Sequence, residues 1–527
     1  MKLRSLLLAF ALFCIQNINA QNKAWDNTFG TKGAVKTNLD FIDIGKLMAV
    51  QTDEKILTAG LDPDTNSVDK NIFFVKRMNK NGVLDITFGK NGTVKIQTGN
   101  NNYTSPINLI LQADGKILII SALADNNSDR STIHRLNTDG SIDKTFGTNG
   151  VIETGLDGSG AQLIHATVLS DGSIVATGQI YEDVTQKIGL LIEKYNKNGA
   201  LDVAFGKSGR FKYFSKDSLN FIGAQIGTQK KDGAYIIYAA VIDVDDNLDT
   251  YLMRVDNKGV LDNTFGKAGI TVVDELTGDN FPLTMTVLPN DKILALDSRP
   301  NAYSTVLQQF LPDGKIDVTF ADNSKLELDD LSFIQFLQDF VITNDQKILL
   351  SGVVIDINDV QNGLLMKFNS SGKPDKTFGN QGRLDMIYDD QETVFNNLIL
   401  LKNGKILCNG QTGSIIIDFY TSLFQIDPSL IVSTSNLATD LKNIMLYPNP
   451  VLNQATLSIE LLSAQSLDIQ LFDINGRRVS DFTTTNNTFA AGKNEIPLNL
   501  PESLTSGTYF VNIRSQEGVS VVKIVKM

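Results

Sequence analysis

The chain is poor in the side chains that most often carry chemistry: 527 residues hold two cysteines and two histidines. Cys14 lies in an N-terminal stretch that reads as an export signal. Removal of that stretch leaves Cys408 alone, which excludes an internal disulfide. Cys408 falls in the apolar run Lys405 to Asn409 and reads as a buried, inert thiol. A zinc site usually draws on several His or Cys ligands, and His134, His165 and Cys408 are too few and too scattered to suggest one. A Ser-His-Asp triad needs no closeness in sequence and stays open, but no Gly-x-Ser-x-Gly turn supports it. The two histidines read as incidental members of strands.

Clustered Lys and Arg are also missing. The net charge is −12 and the pI near 4.8. Loss of Lys2 and Arg4 with the signal moves the charge to about −14. A chain of this sign, without a basic patch, is not expected to bind nucleic acid. The third absence is a membrane-spanning run. Leu6 to Ile15 is the apolar core of the signal, Met1 to Ala20, and falls short of the roughly 20 residues a bilayer requires. Phe13 stands before Cys14 where lipid attachment needs a small residue, so no lipid anchor is expected.

What the chain does have is a repeat. The phrase Leu-Asp-x-Thr-Phe-Gly-x-x-Gly, or a near copy, recurs around Phe29, Phe88, Phe146, Phe205, Phe265, Phe320 and Phe378, with steps of 59, 58, 59, 60, 55 and 58 residues. Within it, Asp26, Asp85, Asp143, Asp202, Asp262, Asp317 and Asp375 are placed to bond backbone amides two residues on. The Phe offers a large apolar ring to a seam, and the Gly that follows permits a left-handed backbone. Only Ala321 departs from the Phe-Gly pair. Each unit also carries an apolar hairpin, such as Leu109 to Ser121 or Ala166 to Gly178. The turn pairs are Asp114-Gly115, Asp171-Gly172, Asp232-Gly233 and Asn403-Gly404, which suit positive φ at both positions of a two-residue turn. Asp53-Glu54, Asn290-Asp291 and Asp345-Gln346 are weaker turn formers. One strand before the phrase and one after it complete the unit. Four short strands per unit, and apolar runs such as Lys116 to Ile120 that imply burial on both faces, predict an all-β, seven-bladed β-propeller of four-stranded blades. Ring closure stays open. Each blade is one continuous unit, or the strand after Phe29 completes the last blade.

The phrase resembles the delta-60 repeat of bacterial proteins over residues 21–427. That resemblance implies a propeller and no defined activity. Residues 428–444, rich in Ser, Thr and Asn, read as a linker. Leu446-Tyr447-Pro448-Asn449-Pro450 then opens a segment that continues through Leu471-Phe472-Asp473-Ile474-Asn475-Gly476-Arg477 and Ser506-Gly507-Thr508-Tyr509-Phe510-Val511 to Lys523-Ile524-Val525-Lys526. Asn475-Gly476 reads as a hairpin turn, and Tyr509, Val511 and Ile513 alternate with polar neighbours as a half-buried strand does. Residues 445–527 are thus expected to form a small Ig-like β-sandwich. They resemble the C-terminal sorting domain of type IX secretion substrates. The resemblance implies engagement with that machinery, periplasmic transit, removal of this domain, and release or attachment at the outer surface.

The best lead to chemistry is a loop. Asp243, Asp245, Asn247 and Asp249 place oxygen ligands at alternate positions, as a weak calcium site would. Leu248 and Arg254 stand where an EF-hand needs Gly and Glu, which excludes that motif. No other cofactor is suggested. The expectation is an exported, non-enzymatic propeller that binds a glycan, a protein or a surface through one ring face. The alternative is a secreted glycan-degrading enzyme with carboxylates at the propeller centre.

Overall fold

The computed structural model describes residues 24–36, 47–61, 72–98, 103–124, 129–154, 160–182, 184, 186–215, 219–243, 247–273, 279–299, 304–321, 324–328, 334–355, 360–413, 420–428, 441–473, 478–482, 488–501, 504–515 and 519–527. The expected signal, and turn residues Asn475 and Gly476, lie outside them. Among the described residues the chain is all-β, and no helix is long and apolar enough to cross a membrane. It divides into two compact units, residues 1–373 with 385–430, and residues 374–384 with 431–527.

Among the described residues up to Asp427 the strands form seven four-stranded sheets. Six follow chain order, for example Tyr103–Leu111, Ile117–Ala124, Asp129–Leu136 and Val151–Glu153. The seventh does not. Its strands Thr393–Leu400, Ile406–Thr412 and Tyr420–Ile426 accept Ala34–Lys36 from the other end of the chain, with Ala34 opposite Phe424. Asp26 N–H donates to Gln425 O at 2.9 Å and Asp427 N–H to Ala24 O at 2.8 Å. Trp25 is buried against Tyr388, Phe395 and Phe424, with ring centroids 5.5, 6.2 and 5.5 Å away. Phe29, Met48, Ile56, Met78, Leu407 and Leu423 form one core between the first and last sheets. The open choice is therefore resolved. The strand after Phe29 closes the last blade, and closure protects edges that an open array would expose.

The recurring phrase is the mortar of this ring. All seven aspartates bond two residues on: Asp143 Oδ1 accepts from Thr145 N–H at 3.1 Å and from its hydroxyl at 2.6 Å, and five others do the same with a threonine. Asp202 reaches only the Ala204 amide, at 3.2 Å. The phenylalanines are buried, from 0% exposed at Phe29 to 6% at Phe378. Their rings fill the seam to the next repeat. A Cβ on turn glycines Gly140, Gly199 or Gly314 would stand within 3.0 Å of Phe88, Phe146 or Phe265. After Phe29, Phe88, Phe146, Phe205, Phe265 and Phe320 the following residue donates its amide to that same turn, as in Gly89 to Asp139 O at 2.8 Å and Ala321 to Ser371 O at 2.8 Å. Ala321 takes the left-handed backbone of the glycines it replaces, φ 52° against 53° at Gly89.

The hairpin turns differ from the sequence expectation. Among Asp114-Gly115, Asp171-Gly172, Asp232-Gly233 and Asn403-Gly404, only the glycine has positive φ, for instance 82° at Gly115. The turn is longer than two residues: Gly115 N–H donates to Gln112 O and Gln112 N–H to Lys116 O. Asp114 stays right-handed, with Oδ1 accepting the Lys116 amide at 3.1 Å. That geometry is a type I turn followed by one left-handed residue. Glu54, Asp291 and Gln346 occupy this left-handed position without being glycine, at φ 67°, 63° and 59°.

The C-terminal unit packs a three-stranded sheet (Leu441–Tyr447, Gln454–Leu461, Gly492–Asn499) and a four-stranded sheet (Arg478–Asp481, Asp468–Asp473, Gly507–Arg514, Val519–Lys526) around one core. Tyr509, Val511 and Ile513 are buried and alternate with more exposed neighbours, as expected. The opening and closing motifs of this unit meet. Asn449 Oδ1 accepts Val525 N–H at 2.8 Å, and Asn449 Nδ2 donates to Lys523 O at 2.8 Å. An amide side chain here takes the part of a neighbouring strand.

Candidate functional site

The first strands of six sheets converge on a cavity of about 400 Å³. Each of these strands carries a β-bulge, which inserts one extra residue and re-aims a side chain. The extra residues are Ile107, Ile164, Ile222, Leu283, Gln338 and Asn396, and all of them line the cavity. In three sheets the opposing residue is a glycine for a steric reason. A Cβ on Gly178, Gly352 or Gly410 would lie 1.9, 2.1 or 1.8 Å from the carbonyl oxygen of Gln162, Phe336 or Val394.

A ring of polar residues, one per sheet, lies next to the bulge in five sheets, as Asn108, His165, Thr284, Asp339 and Asn397, and three residues past it in the sixth, as Gln225. Three of them bond the next sheet in the same way. His165 Nδ1 accepts Ile226 N–H at 3.4 Å, Gln225 Oε1 accepts Met285 N–H at 3.2 Å, and Asp339 Oδ2 accepts Leu398 N–H at 3.3 Å. Gln225 also donates to Leu283 O at 2.7 Å. The first strand of a sheet has no partner on its inner edge, and these side chains satisfy amides that would otherwise face a partly apolar cavity.

The remaining titratable candidates have structural surroundings. His134 is half-buried against Phe73, with centroids 5.7 Å apart, and pairs with the Thr132 hydroxyl at 2.9 Å. Burial lowers its pKa to about 4 and keeps it neutral. Cys408 is buried, and desolvation pushes its thiol up, which makes it unreactive as expected. The phrase aspartates are occupied by cations as well as by their own turns. Lys405 reaches Asp26 at 2.6 Å, Lys116 and Arg135 reach Asp143 at 2.8 and 2.7 Å, and Lys292 reaches Asp317 at 2.6 Å. Thr87 and Arg77 outweigh burial at Asp85 and bring its pKa down to about 2.

Of the expected calcium ligands, Asp243 and Asn247 bond one another: Asp243 Oδ1 accepts the Asn247 amide at 2.9 Å and Oδ2 accepts Asn247 Nδ2 at 3.0 Å. Asp249 lies in the strand Leu248–Val255 opposite Val241, and Asp245 is outside the described residues. The bulge residues escaped sequence reading, although a signal exists. Ile107, Ile164, Leu283, Gln338 and Asn396 all stand seven positions before the first residue of their hairpin turn pair.

Residues 445–527 match a family described as "Secretion system C-terminal sorting domain". Residues 112–146 match one described as "Domain of unknown function (DUF5122) beta-propeller". The chain is thus a β-propeller protein with a sorting tail. That tail marks it for type IX secretion to the cell surface or outside, and implies interaction with the secretion machinery. No curated protein matches the chain. Similar solved structures include the polysaccharide lyase Uly1 (11% identity, 74% of this chain and 91% of that one, TM-score 0.42). Drosophila Semaphorin 2a is 8% identical over 92% of this chain and 97% of that one, with TM-score 0.42. The α-L-arabinofuranosidase Arb93A from Fusarium graminearum is 10% identical over 76% and 99%, with TM-score 0.39.

Proposed function

We propose that the protein is an exported, non-enzymatic binding module whose ligand enters the central opening of the propeller. One observation carries this reading. Side chains that repeat from sheet to sheet build the seams, whereas the side chains around the cavity differ from sheet to sheet: Ile107, Ile164, Ile222 and Leu283 on four first strands, Gln338 and Asn396 on two. A purely architectural centre has no need for such asymmetry; a recognition site does. The domain limits 21–427, 428–444 and 445–527 belong to the same proposal, with binding assigned to the first segment and delivery to the last. The test is a panel of glycans and proteins presented to the mature protein, run beside a turnover assay on polysaccharides. Binding without turnover is expected. Turnover that disappears in Asp339→Asn overturns the non-enzymatic reading in favour of a glycan-cleaving enzyme, and silence in both assays leaves a structural coat component.

A further inference from the structure

The cavity has two unlike halves. Ile107, Ile164, Ile222 and Leu283 give the second to fifth sheets an aliphatic side, interleaved with Asn108, His165, Gln225 and Thr284 and extended by Phe281, which is 45% exposed. Gln338, Asn396 and Asn397 make an amide wall on the sixth and seventh sheets. Among the described lining residues the acid is Asp339, and its carboxylate already accepts the Leu398 amide. His165 holds Nδ1 toward the Ile226 amide, which requires an unprotonated nitrogen there.

We propose that this cavity binds an uncharged saccharide. The inference rests on the binding-module reading and names its ligand class. Amide side chains offer a donor and an acceptor together, the same pair a sugar hydroxyl offers, so each can meet a hydroxyl in either direction. A pyranose also has a face of C–H groups, which an aliphatic side and an exposed aromatic ring cover without leaving polar atoms unpaired. An anionic ligand would find no cation in the described lining to offset its desolvation, and the one carboxylate that could meet a cationic ligand, Asp339, already accepts the Leu398 amide through Oδ2. A purely apolar ligand would meet the Gln338 amide with nothing to pair it. The volume of about 400 Å³ lies in the range of small-ligand sites.

The experiment is saturation-transfer NMR on the mature protein with neutral oligosaccharides, uronic-acid oligosaccharides and neutral peptides as separate probes. Neutral oligosaccharides are expected to bind. Gln338→Leu/Asn396→Leu should weaken them by about tenfold or more, the loss of one or two hydrogen bonds. Ile222→Phe fills the aliphatic side and leaves the amides intact. It should abolish binding as well, so a folding failure in one variant does not decide the matter. Neutral saccharides that bind both variants as tightly as the native chain refute the cavity while leaving a binding module. Uronic-acid probes or peptides binding in their place refute the ligand class. A bound saccharide that is cleaved upholds the site and overturns the non-enzymatic reading.

Discussion

Asp143→Ala and Asp202→Ala remove the same carboxylate from adjacent copies of one phrase, and the structure assigns them different costs. Asp143 takes four donors: Thr145 N–H and hydroxyl, Lys116 at 2.8 Å and Arg135 Nε at 2.7 Å. Arg135 is 5% exposed and its guanidinium lies 4.2 Å over the Phe146 ring, so alanine strands a cation already out of water. Breaking a buried pair in this manner costs about 3–5 kcal/mol. Asp202 takes the Ala204 amide at 3.2 Å and Lys194 at 3.1 Å, and its side chain is 31% exposed. Its removal costs about 1 kcal/mol. A unit of roughly 400 residues unfolds with an entropy of about 0.8 kcal/mol/K, so the melting temperature should fall by about 4–6 °C in the first variant and about 1 °C in the second. Calorimetry reads both. The single tryptophan, Trp25, buried in the closing sheet, gives an independent urea transition by fluorescence. The acid limb supplies a further check. Burial raises the Asp143 pKa, but Lys116, Thr145 and Arg135 outweigh it and hold the carboxyl well below its ordinary 3.8. A depressed native pKa contributes stability above the unfolded value and loses it as pH falls through the native one. The gap between native protein and Asp143→Ala should therefore be full at neutral pH and narrow progressively below about pH 4. Equal losses in the two variants, or a gap that widens in acid, would refute the reasoning.

Gln346→Gly relieves a left-handed φ of 59° and should stabilise the ring by about 0.5–1 kcal/mol, less than the full relief because glycine also loosens the unfolded chain; chemical denaturation measures it. Truncation through Lys36 strips the strand that pairs Tyr420–Ile426, and the bared edge should drive concentration-dependent association in sedimentation, which a monomeric truncated protein would contradict. Asn449→Leu deletes the two bonds to Lys523 and Val525, so hydrogen exchange at Val525 should quicken by about tenfold or more while the Tyr509 region stays protected. Calorimetric titration with millimolar calcium tests Asp243, Asp245, Asn247 and Asp249: heat that vanishes in Asp245→Ala supports the site, and a flat trace removes it.

What the sequence disclosed and what it withheld divide by the range of the interaction. The phrase was legible because its contacts are short. An aspartate bonding a threonine two residues on leaves a fixed spacing, and seven copies make that spacing visible. The tail was legible as motifs, but the tie from Asn449 to Val525 spans 76 positions and left no pattern to read. Ring closure was hidden for the same reason. Ala34–Lys36 resembles every other fourth strand, and nothing local says that its partner is Phe424 rather than its own repeat. The candidate site was the least visible. A bulge adds one residue to one strand, and Ile107 or Ile164 then looks like one more apolar residue in a half-buried run; only the pairing of Pro106 with Ser121, and of Leu163 with Gly178, shows that a residue has been squeezed out toward the centre. The turn forecast failed on a related point. Asp-Gly suits two turn geometries, and the side-chain bond from Asp114 to the Lys116 amide selects the one in which only glycine is left-handed. Repetition thus announces the parts that hold the ring together and masks the one place where the copies differ, so the residues that define a ligand must be sought where the register slips rather than where the motif recurs.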